Sequence, residues 1–386
     1  MTPAARVAAA IDILDDIFDG EVVEKALSGW GRSHRFAGSK DRAAIRDLVF
    51  QALRCRSSYA WLGGVSTGRG VMLGAMRAAG IADEMFSGEG YGPASVTEDE
   101  TGQDLTEAPR ATRLDTPEWI LPLFDQTLGD KADEILTLLR DRAAIILRVN
   151  TKASDRERAQ SHLLEDGIVT TPIADITTAL QVTENERRIS NSKAYLEGHV
   201  ELQDLSSQLA VASLEIREGT TVLDYCAGGG GKALAMAAFG AKVTAHDIDP
   251  RRMKDIEPRA QRAGVTIDIA TPDTPEKLDL FDLVFCDAPC SGSGTWRRTP
   301  AAKWALTPDR LAELQDIQKS ILKDCVNYVK PGGRLVYATC SLFAQENEDQ
   351  INAFLVDNDD FERANQSVIF PSAQSDGFFY TELRRT

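Results

Sequence analysis

The sequence predicts an α/β protein whose C-terminal half forms a doubly wound, mostly parallel sheet, preceded by an all-α region and a small α/β module. Three observations predict it. After Gly219 short β-rich runs alternate with helical stretches, the pattern that places helices on both faces of a parallel sheet. Near the N-terminus, apolar residues recur at helical spacing. Between the two regions, "AAIILRVNT" (143–151) reads as a strand, followed by a helix-like "SDRERAQSHLLEDG" for which Ser154 is the expected N-cap.

Taken in order, Val7, Ile11, Leu14 and Phe18 line one side of a first helix. Ile45, Leu48, Val49, Ala52 and Leu53 do the same in "DRAAIRDLVFQALRC", so both belong to one small bundle. From about Ile81 to Pro117 the composition turns to Gly, Pro, Ser and Thr, and residues 82–118 hold ten acids and two bases, which suggests a mobile loop or linker. Periodic order resumes near Trp119. Later strands are expected at "TTVLDYC", "KVTAHDID", "VTIDIAT", "FDLVFCDAP", "GRLVYATCS" and "GFFYTELRR", with a long helix from about Thr307 to Val329. Three domains follow: helical 1–142 with its acidic loop, a small module at 143–205, and the sheet domain at 206–386.

At 386 residues the chain has room for such an arrangement, with 43% hydrophobic residues to fill the cores. No apolar run is long enough to span a bilayer and "MTPAARVAAAIDILDDIFDG" is no signal peptide, so a cytoplasmic protein is expected. Six cysteines without CxxC spacing and four dispersed histidines indicate neither a disulfide framework nor a metal site. The net charge of −16 disfavours a nucleic-acid partner, but half of it lies in residues 82–118, and residues 290–334 carry eight bases against four acids.

The candidate site residues gather at the carboxyl ends of the expected strands, where an open α/β sheet binds ligands. "DYCAGGGGKALA" leaves the first strand through Gly228–Gly231, and Asp247 ends the second, 19 residues after Gly228, where an acid can take the hydroxyls of a ribose. A P-loop would need Gly where Cys226 stands and Ser or Thr where Ala233 stands. NAD and S-adenosylmethionine both remain compatible with the turn. The fourth strand decides, because a dehydrogenase has no use for "DAPCSGSG" and an exocyclic-amine methyltransferase would be expected to show Pro-Pro-aromatic there. Carbon 5 of cytosine becomes nucleophilic only after something adds to carbon 6, which a thiolate can do, and an adjacent acid can hold the ring edge. Cys55, Cys286 and Cys325 read as buried core thiols, Asp224 as a bond to the Gly loop's backbone, Asp282 as a strand-start carboxylate, and Trp296 and Trp304 as equally suited to stacking or packing.

The ordered set "RVNTKAS", "LQDLSSQLA", "VLDYCAGGGGK", "DIDPRRM", "FDLVFCDAPCSGSGTWRRTPAAKW", "GGRLVYATCSLFAQENEDQI" and "DGFFYTELRR" closely resembles the RsmB/Nop/Sun-type RNA cytosine-5 methyltransferases, in the RsmB-like layout. The resemblance implies a Rossmann-like domain dependent on S-adenosylmethionine, behind a NusB-like helical RNA-binding domain and a small RNA-binding module. It implies that Cys226, Ala227, Gly228, Gly229, Gly230, Gly231 and Lys232 form the cofactor loop, that Asp247 holds the ribose, that Asp273 meets the adenine, and that Asp287 touches cofactor and target base. Cys340 would be the nucleophile and Cys290 would assist product release. Where the family's loop reads Cys-Ala-Ala-Pro-Gly-Gly-Lys-Thr, this chain has Gly228, Gly229 and Ala233 in place of Ala, Pro and Thr. Arg297, Arg298 and Lys303 then read as phosphate contacts. The implied activity is formation of 5-methylcytosine in RNA, most simply 16S ribosomal RNA, by a monomer without metal; transfer RNA as substrate, or an idle RNA-binding assembly factor, are the alternatives.

Overall fold

The computed structural model describes residues 1–174, 176–270 and 279–386. Contacts divide the chain into two units, Met1–Arg142 with Trp296–Ala305, and Ala143–Thr295 with Leu306–Thr386.

The first unit is helical. Thr2 caps the helix Pro3–Phe18 by accepting from the Ala5 amide, and Pro3 occupies the first turn, where a missing N–H costs nothing. Val7 and Leu14 are buried as expected, against Ile45, Val49 and Leu53 of helix Ser39–Arg54 and Val71 and Leu73 of helix Gly68–Ala78. Helices Arg56–Gly63 and Gly68–Ala78 touch through backbone: a Cβ at Gly74 would lie 1.8 Å from the Tyr59 carbonyl oxygen.

The acidic segment is pinned to this unit rather than hanging free as its composition suggests. Met85 and Phe86 enter the helical core. Arg69 pairs with Glu100 at 2.6 Å, and that bond holds the Glu100 carboxyl down at about 2, while Arg77 donates to the carbonyls of Leu62 and Glu100. Asp115, fully buried, accepts from the Ser58 amide and hydroxyl and pairs with Arg140 at 2.8 Å. A charge count cannot see cationic partners that come from other parts of the chain.

The second unit contains two sheets. β1 (Ile145–Val149), β2 (Val169–Pro172), β3 (Ala179–Glu184) and β4 (Val200–Leu202) pair antiparallel in the order β2-β3-β1-β4. Helix Arg156–Glu165 covers them with Ala159 and Leu163. Its cap is Asp155, not Ser154: the Asp155 carboxylate accepts from the Arg158 amide at 2.8 Å, whereas the Ser154 hydroxyl turns to the Asp155 carbonyl. The carboxylate stands three residues before that orphan amide, the reach of an N-cap acceptor.

The larger sheet holds β5 (Thr221–Asp224), β6 (Lys242–His246), β7 (Ile267–Ala270), β8 (Phe281–Asp287), β9 (Val329–Thr339), β10 (Phe361–Ile369) and β11 (Phe378–Arg385). The order is β10-β11-β9-β8-β5-β6-β7, parallel from β9 to β7, with β11 and β10 antiparallel at one edge. Val222, Leu223, Leu283, Val284, Phe285, Leu335 and Val336 are buried, which is why these strands read as apolar runs. β6 and β7 extend the sheet on one side of β5 and β8 lands on the other, so the crevice opens at the carboxyl ends of β5 and β8. Asp282 braces the opposite ends, accepting from the Thr221 amide and Lys330.

Candidate active site

Cys290 and Cys340 are 50 residues apart in the chain, and their sulfurs are 3.4 Å apart. The parallel register explains it: Asp287 of β8 stands opposite Ala338 of β9, so the segments leaving the two strands carry residues 290 and 340 to the same level. Backbone bonds staple the segments together, from the Ala288 amide to the Ala338 carbonyl at 2.8 Å and from the Gly294 amide to the Cys340 carbonyl at 2.9 Å. Gly294 permits this because its backbone lies against Gly377, where a Cβ would come within 2.6 Å of the Gly377 carbonyl oxygen.

The two thiols are not equivalent. The hydrogen bond from Cys290 pulls the Cys340 thiol below its ordinary pKa, against burial and with help from Thr295 and Lys232. The same bond, with burial, drives Cys290 well above it. Of the two sulfurs, that of Cys340 is thereby the better placed to carry charge. Cys55, Cys286 and Cys325 are buried, as core thiols should be.

Beside the thiols, Lys232 donates to Asp287 at 2.6 Å. Burial works against the Lys232 ammonium, but Asp287 and Asp224 outweigh it and raise its pKa. Gly228 and Gly230 adopt φ of +52° and +78°, and a Cβ at Gly230 would fall 2.7 Å from Ile256, so the turn that opens helix Gly231–Ala238 requires glycine there. Buried Asp247 accepts from the Gly228 amide at 2.9 Å and the Asp249 amide at 3.0 Å, and the half-exposed Arg252 pairs with it at 3.0 Å.

Asp224 does not bond the loop backbone as the sequence suggested. Both its oxygens are buried without a hydrogen-bond partner, the Ala233 amide exerting only a weak pull, and burial pushes its pKa up to about 7. With the Oε1 of Gln203, also partnerless, it lines a cavity of about 120 Å³ shared with Ser207, Cys226, Ala227 and Lys232. Buried acceptors lacking donors fit a ligand that brings N–H groups and positive charge, as the amino-acid end of S-adenosylmethionine does. Asp273 lies outside the described residues. A larger cavity of about 650 Å³ sits at the amino ends of β5 and β8, where Lys330 pairs with Asp282 and Arg334 with Glu382; no cysteine lines it.

Two of the expected phosphate contacts are corrected. Arg297 and Lys303 are buried inside the helical unit, with Arg54 donating to the Arg297 carbonyl and Lys303 to the Arg54 carbonyl. Burial holds the Lys303 ammonium down at about 8. Arg298 is half-exposed and lines a groove of that unit with Arg56. The tryptophans pack: Trp296 stands edge-on to Phe124 at 5.8 Å, and the Trp304 indole donates to the Leu53 carbonyl at 2.7 Å. The histidines, dispersed in sequence, are not all dispersed in space, since His162 and His199 share a 3.0 Å Nδ1 contact near Glu197. Which ring donates in that contact depends on the tautomer.

Residues 211–384 match the family model described as 16S rRNA methyltransferase RsmB/F, and residues 116–187 match the ferredoxin-like domain of RsmF/B-like methyltransferases. The chain belongs to the RsmB/F methyltransferase family. Ribosomal RNA small subunit methyltransferase B of Vibrio cholerae is 34% identical over 289 residues, covering 71% of this chain and 66% of the relative. The probable enzyme of that name from Bacillus subtilis is 33% identical over 262 residues, 65% and 58% of the two chains. The chain thus spans just under two thirds of the relatives' length. The solved structure PH0851 superposes with a TM-score of 0.77 at 22% identity over 100% of this chain and 99% of that one, a likeness of fold. In RsmB/F terms the larger sheet is the Rossmann-like domain of S-adenosylmethionine-dependent methyltransferases, and β1 to β4 lie largely within the ferredoxin-like match.

One group escaped the sequence reading altogether. Glu346 is buried behind the two cysteine-bearing segments and hydrogen-bonded to both. Its only sequence signal is its place in "QEN" after the Thr-Cys motif, and a lone acid there gives no hint of a partner 55 residues earlier.

Proposed function

We propose that this chain methylates carbon 5 of a cytosine in RNA, with small-subunit ribosomal RNA as substrate, in the cytoplasm. The observation that carries the reading is the 3.4 Å thiol pair beside the Lys232–Asp287 ion pair, at the crevice of a methyltransferase sheet. Cys226 to Lys232, Asp224 and Asp247 would hold S-adenosylmethionine, which would supply an electrophilic methyl group.

Cys340 adds its sulfur to carbon 6 of the cytosine, and Asp287 holds the ring-nitrogen edge where charge develops. The addition turns carbon 5 into an enamine carbon able to accept a methyl group. Cys290 assists the exit, in which a base takes the carbon 5 proton, the freed electron pair restores the double bond between carbons 5 and 6, and the Cys340 sulfur leaves carbon 6 as a thiolate. The target base must leave its stack to reach a half-buried thiol, so an unpaired or loop cytosine is the natural substrate. The helical unit, read as NusB-like, takes the docking role, with Arg298 the remaining phosphate candidate of its inserted segment.

Asp247→Ala should weaken S-adenosylmethionine binding by roughly 1.5–3 kcal/mol, the range for hydrogen bonds to a charged group. Calorimetry giving wild-type affinity would remove Asp247 from the cofactor site. For the substrate, bisulfite sequencing of ribosomal and transfer RNA from a strain lacking the gene should reveal a missing methyl at a cytosine of 16S RNA. A loss confined to transfer RNA would move the substrate there, and no loss in either would end the reading.

A further inference from the structure

We infer that Glu346 is a positioning residue whose carboxylate fixes the two cysteine-bearing segments against each other and so keeps the Cys290 S–H on the Cys340 sulfur. The inference rests on the proposed roles of the two thiols, neither of which Glu346 touches. Its carboxylate accepts from the Ser291 amide at 2.8 Å, the Ser291 hydroxyl at 2.5 Å, the Ser341 hydroxyl and the Gln318 amide at 2.9 Å. Ser291 follows Cys290 directly, and Ser341 follows Cys340. Gln318 also donates to the Pro289 carbonyl, so the residues on both sides of Cys290 are tied to this one group.

The carboxylate is itself anchored. Tyr337 donates to the Glu346 carbonyl at 2.7 Å, and Asn347 accepts from the Thr339 hydroxyl at 2.6 Å while donating to the Ser341 carbonyl at 2.9 Å. Ser293 completes the link, its hydroxyl 3.1 Å from that of Ser341 and accepting from the Leu342 amide at 2.8 Å. Glu346 is fully buried and has no ion-pair partner among the described residues. A buried carboxylate is costly unless donors surround it, and an apolar residue would fill the space at lower cost. What an apolar residue could not do is hold four donors from two segments and a helix at one point.

The test reads thiol chemistry on the full chain without RNA or cofactor. Alkylation by iodoacetamide is followed against pH, with Cys290 and Cys340 resolved by peptide mass spectrometry, and the midpoint is read rather than the rate, so that altered access does not count. Glu346→Ala should raise the Cys340 midpoint by about one pH unit, a tenfold loss of thiolate at a fixed pH below it. Glu346→Gln should keep the wild-type midpoint, because its carbonyl can face Ser291 N–H and Gln318 while its amide donates to the two serine hydroxyls. The double variant Ser291→Ala, Ser341→Ala removes the hydroxyl bonds with little change of volume, serves if Glu346→Ala does not fold, and should also raise the midpoint. Folded variants that titrate at Cys340 as the wild type does would overturn the inference. A shifted midpoint in a chain that methylates no RNA would uphold the positioning role and defeat the proposed function, so the two can fail separately.

Discussion

Cys340→Ala is expected to lower methyl transfer to RNA by at least about 10⁴-fold, because losing a covalent nucleophile leaves only binding and polar stabilisation. Cofactor affinity should persist, since the Gly-rich turn and Asp247 belong to β5 and β6 whereas Cys340 follows β9. Cys290→Ala should do the opposite of failing to attack. It should form the bond to carbon 6 and accumulate a protein–RNA species that survives denaturing electrophoresis, which the Cys290→Ala, Cys340→Ala double variant should lack. The 3.4 Å contact adds a pH signature. The Cys340 pKa is lowered first by the bond from Cys290, so without that donor it rises, and adduct formation by Cys290→Ala should need higher pH than attack by the wild type. An adduct in Cys340→Ala and none in Cys290→Ala would make "DAPCSG" the attacking motif.

Trp296→Ala should cost about 3–5 kcal/mol of stability in the helical unit, the range for emptying a fully buried aromatic site. Trp296 is 1% exposed and stands edge-on to Phe124, so its removal leaves a cavity and an unsupported ring. Trp304→Phe keeps the bulk and loses the indole bond to the Leu53 carbonyl, which should cost about 1 kcal/mol. Urea unfolding followed by far-UV circular dichroism reads both. If Trp296→Ala unfolds at the wild-type midpoint and instead weakens RNA binding alone, the ring stacks on a base and does not pack.

Much of the large sheet was legible because its central strands are buried on both faces, and runs such as "FDLVF" and "GRLVYA" announce that burial directly. β10 was not legible. Its residues are mostly exposed or half-exposed at the edge of the sheet, so "FERANQSVI" carries no apolar alternation, and pairing with β11 alone makes it a strand. The acidic segment misled for a related reason, since its fate depends on Arg69, Arg77 and Arg140, which composition assigns elsewhere.

By itself the sequence determined the order of the units, the Gly turn with its carboxylate 19 residues on, and two thiols in motifs specific enough to name a family. Residue type suffices there, because a positive φ favours glycine whatever its surroundings, and a Gly-rich turn with an acid at the end of the next strand is a pattern visible in the chain itself. Only the tertiary structure decided that the Cys290 and Cys340 sulfurs lie 3.4 Å apart, that Asp224 and Gln203 line a cavity with acceptors left unpartnered, that Arg297 and Lys303 are buried, and that Glu346 ties together two segments about 50 residues apart. Each of these is a matter of desolvation and of hydrogen-bond partners brought near by strand register, and neither quantity exists until the chain has folded.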